Sequence, residues 1–500
     1  MKDGDLNIAQ VWFPNKNWER DKDIVHKDTY ICKGTGKEVF EPSFTYHGFR
    51  YVKVTGITEE QATDELLTYL VYHTELNTRG DFRCSDPVST ALQEITRRSI
   101  VSNFHHFPTD CPQREKNGWT ADAALSCEAV LINFDPERNY REWMRNVSKA
   151  QREDGAIPAI VPTAGWGFHW GNGPAWDCVL AWIPYYTYIY RGETDMITEL
   201  APSFMSYLRY LRTRCDENGL LHIGLGDWCH VGGIKHKAPL VVTDTVTSMD
   251  IASKIAIMLD AVNMSAEADY ARAEAAKYRA AIRGELVDLN TMLVMGNCQT
   301  CQAMALYYGV FDEKERSAAF EGLLEMIHGQ DDHIDVGVLG GRVIFHVLSQ
   351  FGYSELAYKM ITREDFPSYG NWLKRGATTL WENFFTDKVD SMNHHFWGDI
   401  SAWFIKCIAG IVLNPDKHNV NALKIAPSFV SAINDVSAYH ITPLGKATVA
   451  WRRDGEDIIL DLEIPQGICA FAELEPDFRF ESGERSMPVE SGSYKIIRNR

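Results

Sequence analysis

From residue 85 to residue 410 the chain holds one hydrophobic period, and it is that of an α-helix. At Ser85-Asp86-Pro87 a capping residue precedes a proline, and apolar residues then return at Val88, Ala91, Leu92 and Ile95. Comparable stretches predict helices near residues 87–103, 120–134, 138–153, 175–190, 195–215, 245–264, 266–287, 298–309, 313–328, 339–351, 355–363 and 396–410. Twelve helices in succession make six hairpins, and an (α/α)6 barrel accounts for them without a remainder. On such a barrel, function falls to the connections at the rim.

The flanks carry another period. Before residue 83, Gly and Pro punctuate short segments rich in aromatic and β-branched residues, such as Phe49 to Val54 and the alternating Leu67, Tyr69 and Val71. After about residue 418 the period returns to two, at Ala447 to Trp451 and Ile458 to Leu462. The expected fold is mainly α, with β-sandwich-type domains on both sides of the barrel. Its parts are an N-terminal β-domain over 1–82, reduced in size, a catalytic barrel over 83–417 and a C-terminal β-sandwich over 418–500.

Charge and cysteine usage exclude several partners. A formal net charge of −18 argues against a phosphate backbone or an anionic membrane surface, so neither nucleic acid nor membrane is expected as a partner. No run of eighteen apolar residues occurs, and the opening Met-Lys-Asp-Gly-Asp-Leu lacks a signal-peptide core, which predicts a cytoplasmic protein. The eleven cysteines are odd in number and scattered through apolar helical patterns, as at Cys127, Cys178 and Cys407, and read as reduced core residues. Cys298-Gln-Thr-Cys301 has redox or zinc spacing, but no second pair accompanies it and the flanking residues read as helix, so no metal site is expected.

Two stretches carry chemistry. Asp110-Cys-Pro-Gln-Arg-Glu-Lys-Asn-Gly-Trp-Thr-Ala-Asp122 sets three carboxylates, Arg114 and Trp119 in one short segment that Pro112 and Gly118 keep irregular. Thr120 is placed to cap the helix that follows, which puts Asp122 in the first turn, where the helix dipole favours an ionised carboxylate. The segment has a plainer reading as an ion-paired loop that tightens a helix start. Far downstream, Gly376-Ala-Thr-Thr-Leu-Trp-Glu382 and Ser391-Met-Asn-His-His-Phe-Trp-Gly398 again put an acid beside tryptophan, with His394 and His395 close behind. Two acids in aromatic settings on separate segments suit glycoside hydrolysis, in which one protonates the leaving oxygen and the other activates water or attacks the sugar. Core packing is the competing account of Trp381 and Trp397.

These strings resemble the signature segments of the inverting α-L-rhamnosidases. The likeness extends upstream to Phe44-Thr-Tyr-His-Gly-Phe-Arg-Tyr-Val52 and downstream to Thr442-Pro-Leu-Gly445, Trp451 and Ile464-Pro465. Many members have one residue more after the arginine, and Gly where this chain has Ala121; here Glu115 directly follows Arg114. The resemblance implies an enzyme that removes terminal α-L-rhamnose with inversion, acting on a small rhamnoside or rhamno-oligosaccharide without metal or organic cofactor. Glu115 would be the general acid, its pKa raised by Asp110 and Asp122, and Glu382 the base. Asp110, Arg114, Trp119, Asp122 and His394 would bind the sugar. Trp176, Trp228 and Trp381 would line its pocket, with Asp177 in support and Trp166 and Trp170 facing the leaving group or simply packed. Other readings are a different (α/α)6 glycoside hydrolase and a carbohydrate-binding protein that has lost catalysis. The sequence sets no oligomeric state, and a homodimer is one that it allows.

Overall fold

A computed structural model describes residues 26–163, 165–168, 170–233, 237–385 and 390–499. The helices are α1 (Pro87–Ser102), α2 (Thr120–Asn133), α3 (Glu137–Ala150), the single turn α4 (Pro174–Asp177), α5 (Val179–Arg191), α6 (Asp195–Arg214) and α7 (Leu240–Ala261). They continue as α8 (Ser265–Glu285), α9 (Gln299–Tyr307), α10 (Arg316–His328), α11 (Val338–Gln350), α12 (Ser354–Thr362), α13 (Tyr369–Lys374) and α14 (Asp399–Trp403), which runs on into a π-helical turn at Phe404–Ile408.

Burial sorts the helices into two kinds. In α2 every residue from Thr120 to Asn133 is buried, whereas α3 buries only Tyr140, Trp143, Met144 and Val147, a single stripe at helical spacing. The wholly buried kind needs cover on all sides. It gets this from its neighbours, for α2, α5, α7, α9, α11 and α14 touch one another in that order and α14 returns to α2. Around the start of α1, Asp86 accepts hydrogen bonds from the Val88 and Ser89 amides and Pro87 occupies the first turn, as its sequence predicts. The one helix without a sequence expectation is α13, whose six residues are too few to display a period.

Short strand pairs β2 (Phe104–His105) with β3 (Phe107–Pro108) and β4 (Val287–Asp288) with β5 (Leu293–Val294) brace loops. The main β structure follows the helices: β6 (Ile411–Leu413), β7 (Ala422–Ile425), β8 (Asp435–Thr442), β9 (Gly445–Asp454), β10 (Asp457–Glu463), β11 (Cys469–Glu473), β12 (Phe478–Phe480), β13 (Ser486–Val489) and β14 (Gly492–Arg498). One sheet has the order β13-β11-β7-β6. The other begins with a strand from far upstream, β1 (Gly80–Cys84), in the order β1-β8-β9-β10-β14-β12. β1 pairs antiparallel with β8, from Gly80 opposite His440 to Cys84 opposite Val436. Phe82 of β1 stacks on Phe404, and the Trp451 indole donates to the Ile408 carbonyl, so sheet and last helix share a core.

The N-terminal segment departs from expectation. Residues 26–79 contain no strand, only a 3-10 turn at Glu59–Gln61, and the segments Phe49 to Val54 and Leu67 to Val71 are irregular and exposed. An alternating pattern forms a strand only where a neighbour takes its backbone hydrogen bonds and covers its apolar face, and the described residues supply neither. Residues 1–25 of the expected β-domain lie outside the described residues. At the start of α9 the Cys298 and Cys301 sulfurs face each other at 3.3 Å, buried.

Candidate active site

The acid-bearing loop is shaped by close packing. A Cβ on Gly118 would meet the Val161 carbonyl at 2.2 Å, so only glycine lets the loop pass, and Lys116 adopts φ 55°. Asp110 accepts from the Asn117 amide at 2.8 Å and from the Cys111 thiol, while the Cys111 sulfur accepts from the Glu115 amide at 3.4 Å. The loop thus closes on its own carboxylate. Thr120 is the first helical residue and not the cap; its hydroxyl donates to the Ala159 carbonyl, and Trp119 precedes the helix without a capping bond. Asp122 does lie in the first turn.

The second segment is fixed from behind. The Trp397 indole donates to the Glu382 carbonyl at 3.0 Å and the Glu382 amide donates to the Ser391 carbonyl at 2.9 Å. Gln113 ties the two segments together by donating to the Ser391 hydroxyl at 2.7 Å. Arg114 then reaches across. Its Nη2 donates to Glu382 Oε2 at 2.8 Å and lies 4.0 Å from Glu115 Oε1, so one guanidinium nitrogen faces both carboxylates. The Trp119 indole donates to Glu115 Oε2 at 2.8 Å, and His394 Nε2 is 3.6 Å from Asp122 Oδ1. Asp110, Arg114, Glu115, Trp119, Asp122, Glu382 and His394 are therefore brought together.

An aromatic wall stands beside them. Trp119, Trp166 and Trp170 have ring centroids 5.4 Å apart in each pairing, and Trp228 joins Trp170 at 6.2 Å. Trp170 is 42% exposed, which leaves a face open. Trp228 is carried by Asp227, whose buried carboxylate accepts from the amides of Gly337, Leu339 and Gly340 at the start of α11 and from the Thr300 hydroxyl. Three expected site residues stand elsewhere. Asp177 accepts from the Tyr207 hydroxyl at 2.9 Å and from the Gly173 amide, joining α4, the turn that also carries Trp176, to α6. Trp381 packs against Trp372 with the Arg375 guanidinium over its ring, the core arrangement its sequence also allowed. Trp176 is buried among core residues, its indole N–H without a hydrogen-bond partner among the described residues.

Burial governs the electrostatics. Glu382 is raised to about 7 by desolvation, with Asp390 and Glu115 adding to the rise and Arg114 opposing it. Glu115 is raised by desolvation, opposed by the Trp119 hydrogen bond and by Arg114. Asp110 and Asp122 lie well above the usual carboxylate range, first from burial and then from the charge on Glu115. The expected ionised Asp122 is thus overturned, since a helix dipole contributes about 0.3–1 kcal/mol against a burial penalty of several. Like-charge repulsion is present too, but its cost falls on Asp110 and Asp122, and Glu115 is raised by enclosure. His394, lowered by burial and by Arg114, is neutral at pH 7.

Sequence reasoning passed over Asp390, whose Oδ1 lies 3.9 Å from Arg114 Nη1, and Cys111. The signal for Asp390 was its place immediately before Ser391, and that for Cys111 its place directly after Asp110.

Comparison with known proteins gives a consistent set. A family model for the bacterial alpha-L-rhamnosidase 6 hairpin glycosidase domain matches residues 77–408, and one for the concanavalin-like domain of the same proteins matches residues 2–73. An alpha-L-rhamnosidase of Formosa agariphila is 29% identical over 94% of this chain and 54% of its own length, and one of Streptomyces avermitilis is 28% identical over 94% and 47%. The alpha-L-rhamnosidase structure from Dictyoglumus thermophilum superposes with a TM-score of 0.79 at 26% identity, covering 86% of this chain and 51% of that one. The chain spans about half the length of the curated relatives it matches.

Proposed function

Since the chain belongs to the bacterial α-L-rhamnosidase family, we propose that it hydrolyses terminal α-L-rhamnosides with inversion, on the residues gathered around Arg114. The observation that carries this reading is the guanidinium of Arg114 lying between Glu115 and Glu382, two acids from separate loops. Glu115, raised by its enclosure and oriented by the Trp119 indole, holds the proton that goes to the glycosidic oxygen. Glu382 takes a proton from the attacking water. Inversion requires that a water come between the two acids, where the Arg114 guanidinium now lies. Arg114 and the neutral His394 offer hydrogen bonds to vicinal hydroxyls, and the tryptophan wall receives the apolar side of the ring.

The architecture in this reading is an (α/α)6 barrel over 83–417, with the six mutually touching helices as its inner ring, a C-terminal β-sandwich over 418–500 and β-domain sequence before residue 83. The inner helices α2, α11 and α14 start at the site, as expected of rim chemistry on such a barrel. A cytoplasmic place of action on small rhamnosides belongs to the same proposal. No helix among the described residues is long and apolar enough to cross a membrane.

Turnover of aryl glycosides tests the substrate class: the α-L-rhamnoside is cleaved, and the α-L-fucoside, β-D-glucoside and α-D-mannoside much less. Equal turnover of any of the three refutes the assignment. Proton NMR in the first minutes tests the stereochemistry, with β-L-rhamnose the first product. Early α anomer, or transfer to added methanol, would make Glu382 a nucleophile.

A further inference from the structure

Arg114 presents two nitrogens, and the structure gives them different carboxylates. Nη2 donates to Glu382 Oε2 at 2.8 Å, while Nη1 lies 3.9 Å from Asp390 Oδ1. Asp390 is held in turn by the buried Asn383, whose amide nitrogen donates to Asp390 Oδ2 at 3.4 Å. Asn383 directly follows Glu382 in the chain and Asp390 directly precedes Ser391, whose carbonyl accepts from the Glu382 amide, so the third carboxylate is built into the base's own loop. An arginine paired with Glu382 alone would keep that carboxylate ionised and weakly basic, and would stand where water must approach it. A second carboxylate on the other arm of the fork divides the cation's attraction.

We propose that Asp390 is a positioning residue for the hydrolysis: it shares the Arg114 guanidinium with Glu382, sets the strength of that base, and receives the cation when a sugar enters. This rests on the reading of Glu382 as the base. Among the described residues, the groups that face Glu382 are Arg114, Asp390, Glu115 and Asp122, with the buried Cys229 thiol beyond them. Among these only Arg114 lowers its pKa, and Asp390 is the largest carboxylate contribution raising it. Removing the Asp390 charge therefore leaves Glu382 a weaker base, beside a cation that one carboxylate fewer shares.

The test is Asp390→Asn, with Asp390→Ser as a second uncharged variant and Asp390→Glu as the conservative one. Glu382 is titrated in the substrate-free protein by carboxyl 13C NMR, its resonance assigned by loss in Glu382→Gln. The expected result is a lower Glu382 pKa in both uncharged variants and a return toward wild type in Asp390→Glu. On an aryl α-L-rhamnoside, the acidic limb of kcat/KM moves down with it, and kcat falls about tenfold while KM changes much less. An unmoved Glu382 titration in folded Asp390→Asn and Asp390→Ser overturns the proposal. If the wild type cleaves no α-L-rhamnoside, the functional reading fails, and the titration still decides whether Asp390 governs Glu382.

Discussion

Gly341→Ala tests whether the packing behind the base matters more than helix propensity. In an ordinary helix interior this substitution stabilises by about 1 kcal/mol. Here a Cβ would meet Trp397 Cζ3 at 2.4 Å and Cε3 at 2.9 Å, well inside carbon contact distance. The indole must retreat by about 1 Å to restore ordinary contact. It has little room, because Trp397 is 2% exposed and its ring meets those of Tyr369, Trp372, Phe384 and Phe396. Overpacking of that kind costs about 1–3 kcal/mol, so the net change is a loss of roughly 0–2 kcal/mol after the propensity gain. Activity suffers more than stability. The displaced indole holds the Glu382 carbonyl, and a misplacement of about 1 Å at a reacting group costs on the order of a hundredfold in rate. Urea unfolding and kcat on an aryl rhamnoside give the two numbers. A variant about 1 kcal/mol more stable than the wild type, with kcat unchanged, would refute the coupling of Trp397 to the base.

Glu115→Gln should lose more activity on a natural disaccharide than on an activated aryl rhamnoside, whereas Glu382→Gln loses both alike; losses under about tenfold for either variant would mean the wrong acids are named. Burial raises Glu382 to about 7, and the base of the proposed reaction must be ionised, so kcat/KM should fall as pH drops through about 7; a limb near the ordinary carboxylate range would contradict that assignment. Arg342 lies buried between Asp399 at 2.8 Å and Glu128 at 3.4 Å; Arg342→Met leaves Asp399 to His346 and Glu128 to Lys406, and should still cost about 3 kcal/mol in urea unfolding, the low end for breaking a buried pair. His346, bonded to Asp399, is raised from 6.5 to about 9; its folded value exceeds its unfolded one, so its stabilisation is whole below pH 6.5 and is lost as pH rises through about 9, a decline that His346→Asn should lack.

What the sequence made legible was whatever a local rule decides. The start of α1 follows from Asp86 and Pro87, and the buried helices follow from apolar residues that a solvent-facing helix would not keep. The two acid loops were readable because acids beside tryptophan are rare in surface connections. Quantities set by distant neighbours were not readable. Asp122 has a helix start's dipole and a buried site's dielectric, and only the fold says that the second prevails. Asp177 looks like a site residue until Tyr207, thirty positions on, is seen to use its carboxylate. Leu67, Tyr69 and Val71 alternate as a strand should, yet pairing is a property of two segments and their sequence describes one.

The pairing of β1 with β8 sets a schedule for synthesis. Arg79, beside β1, bonds the carbonyl of Ile441, 362 residues later. At a ribosomal rate of about 5–20 residues per second, the first strand waits roughly 20 to 70 s for its partner. Throughout that interval Phe82 lacks the sheet beside it, and Phe404 too is yet to be made for most of it. The nascent chain therefore carries β1 unpaired, with Phe82 uncovered, ahead of α1 to α14, and a holdase that takes up exposed aromatic side chains should raise its yield.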